Sequence, residues 1–184
     1  MRIFQSLWTK PALDKRWDTS GQLESNIWLY TLSVIYAKSI GVEIVLHTDS
    51  LGKALLSHLP YDKIYTTLNN ILETIPTMIW AYGKFEALKQ EPLGSIHIDG
   101  DVFLKKPEVL KGLEYSNYDL IVQNTEGLGY SYENTEKILD KYGIISSESF
   151  NVPYAYNCGV IGINNAQLKK MYLDFYLKYT KAVS

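Results

Sequence analysis

Apolar residues fall along this chain in two alternating rhythms, short apolar-rich runs and longer stretches at helical spacing. Residues 2–8 are an apolar-rich run stopped by Thr9-Lys10-Pro11, which predicts a first strand. Thr19 and Gln22 fit a capping box, after which Leu23, Ile27, Tyr30, Val34 and Ala37 recur at helical spacing until Gly41. Residues 42–47 predict a second strand closed by Thr48-Asp49-Ser50, and 51–59 a short helix before Pro60. A weaker third strand spans 63–68.

The alternation continues. A helix is predicted over 77–90, with Met78, Ala81, Phe85 and Leu88 on one face. Glu91-Pro92-Leu93-Gly94 breaks it, since proline cannot continue a helix and glycine permits the reversal. Strands follow at 95–101 and 118–123, a helix at 131–142 stopped by Gly143, and a short strand at 160–163. Asn165 then caps a last helix whose Leu168, Tyr172, Phe175 and Tyr179 are expected to face the core. Strands separated by helices of this length are βαβ units, so the expected fold is α/β with a mainly parallel sheet between helical layers. With no repeat or linker, residues 1–184 read as a single domain. The last helix reaches residue 184 without a stop signal, so the expectation is a piece of a longer protein lacking a C-terminal portion.

Composition narrows the class. A hydrophobic share of 46% against 21% charged residues supports a packed core and excludes disorder. The 18 Lys and Arg nearly balance the 20 Asp and Glu, which gives no electrostatic reason to expect nucleic acid as a partner. A single cysteine, Cys158, excludes an internal disulfide. The N-terminus lacks a signal-peptide pattern, and no run approaches the ~20 apolar residues of a membrane span. The expected setting is cytoplasmic, with peripheral membrane association and oligomeric state left open.

The segment that carries chemistry is Ser95-Ile96-His97-Ile98-Asp99-Gly100-Asp101-Val102-Phe103-Leu104. Residues two apart in a strand share a side, so Asp99 and Asp101 project together. Gly100 between them lets a ligand approach the backbone. Carboxylates at the carboxyl end of a strand lie where open α/β sheets bind ligands, and hard oxygens suit Mg2+ or Mn2+. The competing reading is a solvated acidic turn. His97 shares this face and reads as a buried, hydrogen-bonded support for the carboxylates rather than a third ligand, while His47 and His58 look incidental.

The stretch IHIDGDVFL resembles the DxD motif of GT-A-fold glycosyltransferases. AYGKFEALKQEPLGS resembles the helix that leads into that motif, with Lys84 where a basic residue often sits. YNCGVIGIN resembles the Asn-x-Gly segment of glycogenin-like and lipopolysaccharide sugar transferases. The resemblance runs in order along most of the chain and implies a three-layer α/β/α Rossmann-like GT-A fold. It implies a nucleoside-diphosphate sugar donor, Mn2+ or Mg2+, and hexose transfer to a glycan or lipid-linked acceptor, tilted towards retention. Asp99 and Asp101 would hold the metal, with Asn157 as a third catalytic residue. Gln5, Ser6, Leu7 and Trp8 would lie near the base, Thr48 and Asp49 near base or ribose, and Lys84 near the phosphates. Trp8 has an equally ordinary reading as core.

Asn157 and Gly159 would flank the transferred sugar or acceptor. Cys158 departs from the Ala or Ser common there and reads as a small buried residue. Gln123, Asn124 and Glu126 are either acceptor contacts or a plain polar loop. Of the 15 tyrosines, Tyr130, Tyr132, Tyr154 and Tyr156 cluster on the expected acceptor side, whereas Tyr172 and Tyr179 have core spacing. Two rivals stand beside this. DGDVFL also resembles the haloacid dehalogenase nucleophile motif, although the later acidic pair of that superfamily is absent: Asp140 and Asp174 are isolated within helices. The other rival is a non-catalytic nucleotide-sugar or glycan-binding module.

Overall fold

A computed structural model describes residues 2–14, 22–77, 79–113, 117–127 and 154–183. Its strands are β1 (Ile3–Leu7), β2 (Ile44–Thr48), β3 (Lys63–Tyr65), β4 (Ile96–Ile98), β5 (Leu120–Gly127) and β6 (Tyr154–Ile163). The helices are α1 (Lys10–Leu13), α2 (Gln22–Ser39), α3 (Ser50–Leu56), α4 (Tyr82–Gln90), α5 (Glu108–Leu113) and α6 (Ala166–Val183). One six-stranded sheet has the order β3-β2-β1-β4-β6-β5. β1 through β4 pair in parallel, and β6 runs antiparallel to both β4 and β5. This is the expected α/β, Rossmann-like architecture with a mostly parallel sheet flanked by helices.

The apolar-rich character of β1, β2 and β4, whose Gln5, His47 and His97 are themselves buried, follows from burial on both faces. On one face Ile3, Ile44, Ile96 and Ile98 pack with Val34 and Ala37 of α2 and with Leu113 of α5. Leu7 and Leu46 meet Tyr30 and Leu56 on the same side. On the other face Phe4, Val45, Ile161 and Ile163 pack on Ala87 and Leu88 of α4, with Leu168 and Tyr172 of α6 alongside. Burying side chains of this size contributes about 1.5–3 kcal/mol each. The chain leaves β1 through α2 on one face and enters β4 from α4 on the other. The order therefore reverses between β1 and β4, and a crevice opens at their carboxyl ends.

Several boundaries differ from expectation. α4 begins at Tyr82 rather than 77, because the chain before it runs in tight turns, Ile79 N–H bonding to Pro76 and Tyr82 N–H to Ile79. β6 starts at Tyr154, and its first residues alternate between exposed and half-buried, so they lack the apolar run that marks its end. α1 and α5, of 4 and 6 residues, are too short for periodicity to reveal. Phe175 faces outward, 40% exposed, while Tyr176 turns inward and stacks on Phe85 with ring centroids 4.3 Å apart. Asn165 caps α6 as expected, its side-chain oxygen accepting from Leu168 N–H at 3.0 Å. Thr19 and the helix expected over 131–142 lie outside the described residues.

Candidate functional site

A cavity of about 330 Å3 occupies the β1–β4 crevice. Its walls are Ser6, Leu7 and Trp8 after β1, Tyr30 from α2, Trp80 and Lys84 around the start of α4, and Asp99-Gly100-Asp101 after β4. The structure thus brings together seven residues that the sequence singled out: Ser6, Leu7, Trp8, Lys84, Asp99, Gly100 and Asp101.

Lys84 is the electrostatic centre of this wall. Its Nζ stands 2.8 Å from Asp99 Oδ1 and 3.0 Å from Oδ2, and donates to the Cys158 carbonyl at 2.8 Å. The ammonium also lies 5.9 Å from the centroid of the Trp80 ring, within reach of a cation–π attraction. Burial pushes the Asp99 carboxyl above its usual range, Lys84 opposes that shift, and Asp101 adds to it. The Asp99 backbone is pinned from two sides. Its N–H donates to the Gly159 carbonyl at 2.7 Å, and its carbonyl accepts from Gln5 Nε2 at 3.4 Å. Asp101 is exposed, on the turn closed by Val102 N–H to the Asp99 carbonyl.

His97 is fully buried beneath these groups. Its Nε2 lies 2.9 Å from Ser6 Oγ, whereas Nδ1 is 3.7 Å from Asp99 Oδ1, too far for a hydrogen bond. The ring supports Ser6, not the carboxylate it was expected to hold. Burial, then Lys84 and His47, keep its pKa well below the usual value, so the ring is neutral.

Gly100 has a different reason from the expected one. A Cβ there would stand 2.3 Å from the Tyr30 ring, so the missing side chain makes room for Tyr30, whose hydroxyl donates to the Ser6 carbonyl. Asp49 does not line the cavity. It caps α3, with Oδ1 accepting from Gly52 N–H at 2.8 Å, while Oδ2 accepts from Thr9 N–H at 2.8 Å and Thr9 Oγ1 at 2.9 Å. Thr48 is buried and donates to the Leu7 carbonyl. Gln5 is buried too, bonding Ser33 and Tyr61 on the α2 side.

Trp8 borders the cavity but is only 9% exposed, packed against Tyr82 and close enough to Gly83 that a Cβ there would lie 2.9 Å away. The exposed indole on the cavity wall is Trp80, at 41%, which sequence reasoning missed. Its position four residues before Lys84 was the signal available.

The Asn-Cys-Gly segment reaches the site through backbone carbonyls rather than side chains. Asn157 Nδ2 donates to Glu126, and its Oδ1 accepts from Gly159 N–H at 2.8 Å. A Cβ on Gly159 would meet Gln123 Oε1 at 2.2 Å. Neither Asn157 nor Gly159 lines the cavity. Burial raises the Cys158 thiol, with Asp99 and Glu126 adding and Lys84 opposing. Tyr154 and Tyr156 are exposed and meet edge-on at 5.7 Å, while Tyr130, Tyr132 and Asp140 lie outside the described residues. Asp174 is ion-paired with Lys170 on α6.

Among the described residues no three His, Cys, Asp or Glu side chains are placed to hold a metal ion together. Asp101 and the partly engaged Asp99 are the oxygens available on the cavity wall. No helix among those residues is long and apolar enough to cross a membrane. No curated protein and no solved structure matches the chain. A family model described as a family of unknown function matches residues 1–182, and the chain belongs to that family, DUF6734.

Proposed function

We propose that the β1–β4 crevice binds a nucleoside-diphosphate sugar, and that the protein transfers its hexose to a glycan or lipid-linked acceptor with Mn2+ or Mg2+. The observation that carries this reading is the convergence of Asp99, Asp101 and Lys84 on one cavity at the carboxyl ends of β1 and β4. The sequence resemblance supplies the reaction class.

The donor set fits a metal shared with the ligand. Mg2+ and Mn2+ are commonly held by one or two carboxylates plus substrate phosphates and waters, so a complete protein cage is not needed. Asp101 would offer the open carboxylate, with Asp99 beside it. A bound metal would neutralise charge on the departing diphosphate. Lys84 supplies a second positive charge from a side chain only 10% exposed, where charges interact more strongly than in bulk water. Held by the Cys158 carbonyl, its ammonium is already positioned when phosphate charge develops. It also compensates Asp99, which would otherwise repel the incoming phosphates.

The test is release of nucleoside diphosphate from a panel of uridine- and guanosine-diphosphate hexoses with Mn2+ and candidate acceptors. Metal-dependent release that Asp101→Ala abolishes is expected. Release that is equal in the wild type and in Asp101→Ala would remove the carboxylate from the mechanism. One observation favours the non-catalytic rival: Asn157 turns to Glu126 and to its own strand, so its side chain does not reach the cavity. Metal-dependent binding without any product would select that rival.

A further inference from the structure

We infer that Trp80 forms the wall on which the planar base of a nucleoside diphosphate stacks, with the ligand's phosphates directed to Lys84. This assignment rests on the crevice being a nucleotide site and adds the subsite that holds the base.

Among the described residues three large aromatic side chains border the cavity, and two of them are nearly covered. Trp8 is packed on Tyr82 and Gly83 at 9% exposure. Tyr30, also at 9%, covers Gly100 and donates its hydroxyl to the Ser6 carbonyl. Trp80 alone of the three presents substantial surface, 41%. The Lys84 ammonium lies 5.9 Å from its ring centroid, so an aromatic wall and a cation adjoin.

A ligand that uses both must carry a flat, weakly polar ring and an anion within a few ångströms of each other, which is the build of a nucleotide. Aromatic faces hold bases without reading hydrogen-bond edges, so this subsite tolerates more than one base. Stacking losses of this kind, ~1–3 kcal/mol per base on alanine substitution, correspond to roughly five- to 150-fold in affinity.

Calorimetric titration of the full chain with Mn2+ separates the parts of the ligand. The probes are uridine diphosphate, guanosine diphosphate, inorganic pyrophosphate and glucose 1-phosphate. Trp80→Ala is expected to weaken both nucleoside diphosphates roughly tenfold while leaving pyrophosphate within about twofold. Trp80→Phe, which keeps a ring, restores most of the loss, and thermal melting checks that both variants fold. Equal losses for pyrophosphate and the nucleotides would mean that Trp80 only shapes the phosphate site. A loss confined to glucose 1-phosphate would make it a sugar platform. Nucleotide binding that ignores both substitutions would also overturn the assignment. If the wild type binds neither pyrophosphate nor nucleotides, the nucleotide reading of the crevice itself fails.

Discussion

Gly100→Ala isolates the contact that shapes the floor of the crevice. The added Cβ would stand 2.3 Å from Tyr30 Cε2, 2.5 Å from Cδ2 and 2.7 Å from Cζ. Carbon atoms sit comfortably at about 3.5–4 Å, so the ring or the turn must shift by roughly an ångström. Tyr30 is buried, and its hydroxyl bonds the Ser6 carbonyl, so displacement of the ring breaks that bond as well. Overpacking costs about 1–3 kcal/mol and a lost hydrogen bond about 1 kcal/mol net, giving about 2–4 kcal/mol in all. For a chain of this length that is a fall in Tm of roughly 4–16 °C. Urea and thermal unfolding of Gly100→Ala measure it directly. In a Tyr30→Ala background the clash is gone, so the same substitution should cost under about 0.5 kcal/mol. An equal cost in both backgrounds, or a negligible cost in the wild type, refutes the Tyr30 explanation of Gly100.

Glu91 is buried and accepts from Arg2, His47 and Ser95. Burial pushes its carboxyl up, but the His47 hydrogen bond and the Arg2 charge outweigh burial and hold it below the usual range. A depressed folded pKa means stability present above the unfolded value of about 4.3 and lost as pH falls through the folded one. Glu91→Gln, which leaves Arg2 partly in solvent, should therefore cost about 1.5–3 kcal/mol at neutral pH and flatten the acid limb of urea midpoints measured from pH 3 to 7. An unchanged acid limb would acquit Glu91. The raised Cys158 thiol should react slowly with iodoacetamide at pH 8 in the folded protein and quickly once it is unfolded. Rapid native labelling would contradict the raised thiol. Asp49→Ala removes the α3 cap and should cost about 0.5–2 kcal/mol by urea unfolding while leaving nucleotide affinity unchanged. A loss of affinity would return Asp49 to the ribose.

The sequence showed the parallel half of the fold because β1, β2 and β4 are buried on both faces and read as short apolar-rich runs bounded by turn residues. It showed the Asp99–Asp101 turn because two carboxylates directly after such a run have few structural uses. It did not show what Gly100, Asp49 or Asn157 do, since those roles depend on partners distant along the chain: Tyr30, Thr9 and Glu126. The Thr48-Asp49-Ser50 string before a helix did carry an N-cap signal, which the expectation of a ribose contact overrode. Trp80 was hidden by the helix assigned over it. Trp80 falls off the apolar stripe of Met78, Ala81, Phe85 and Leu88 expected there, so it reads as an outward residue of a helix, whereas on a turn ahead of α4 it lines the cavity. Phe175 illustrates the same limit, because helical spacing alone leaves open whether Phe175 or Tyr176 turns inward.

The central claim is that Asp101 and Lys84 together make the crevice a metal-assisted diphosphate site. Calorimetric titration of the wild type and of Asp101→Ala with uridine diphosphate, with and without Mn2+, measures that claim most directly. The expected result is binding that Mn2+ strengthens at least tenfold in the wild type and leaves unchanged in Asp101→Ala. Binding by the folded wild type that ignores Mn2+, or an Mn2+ effect that survives Asp101→Ala, would contradict it.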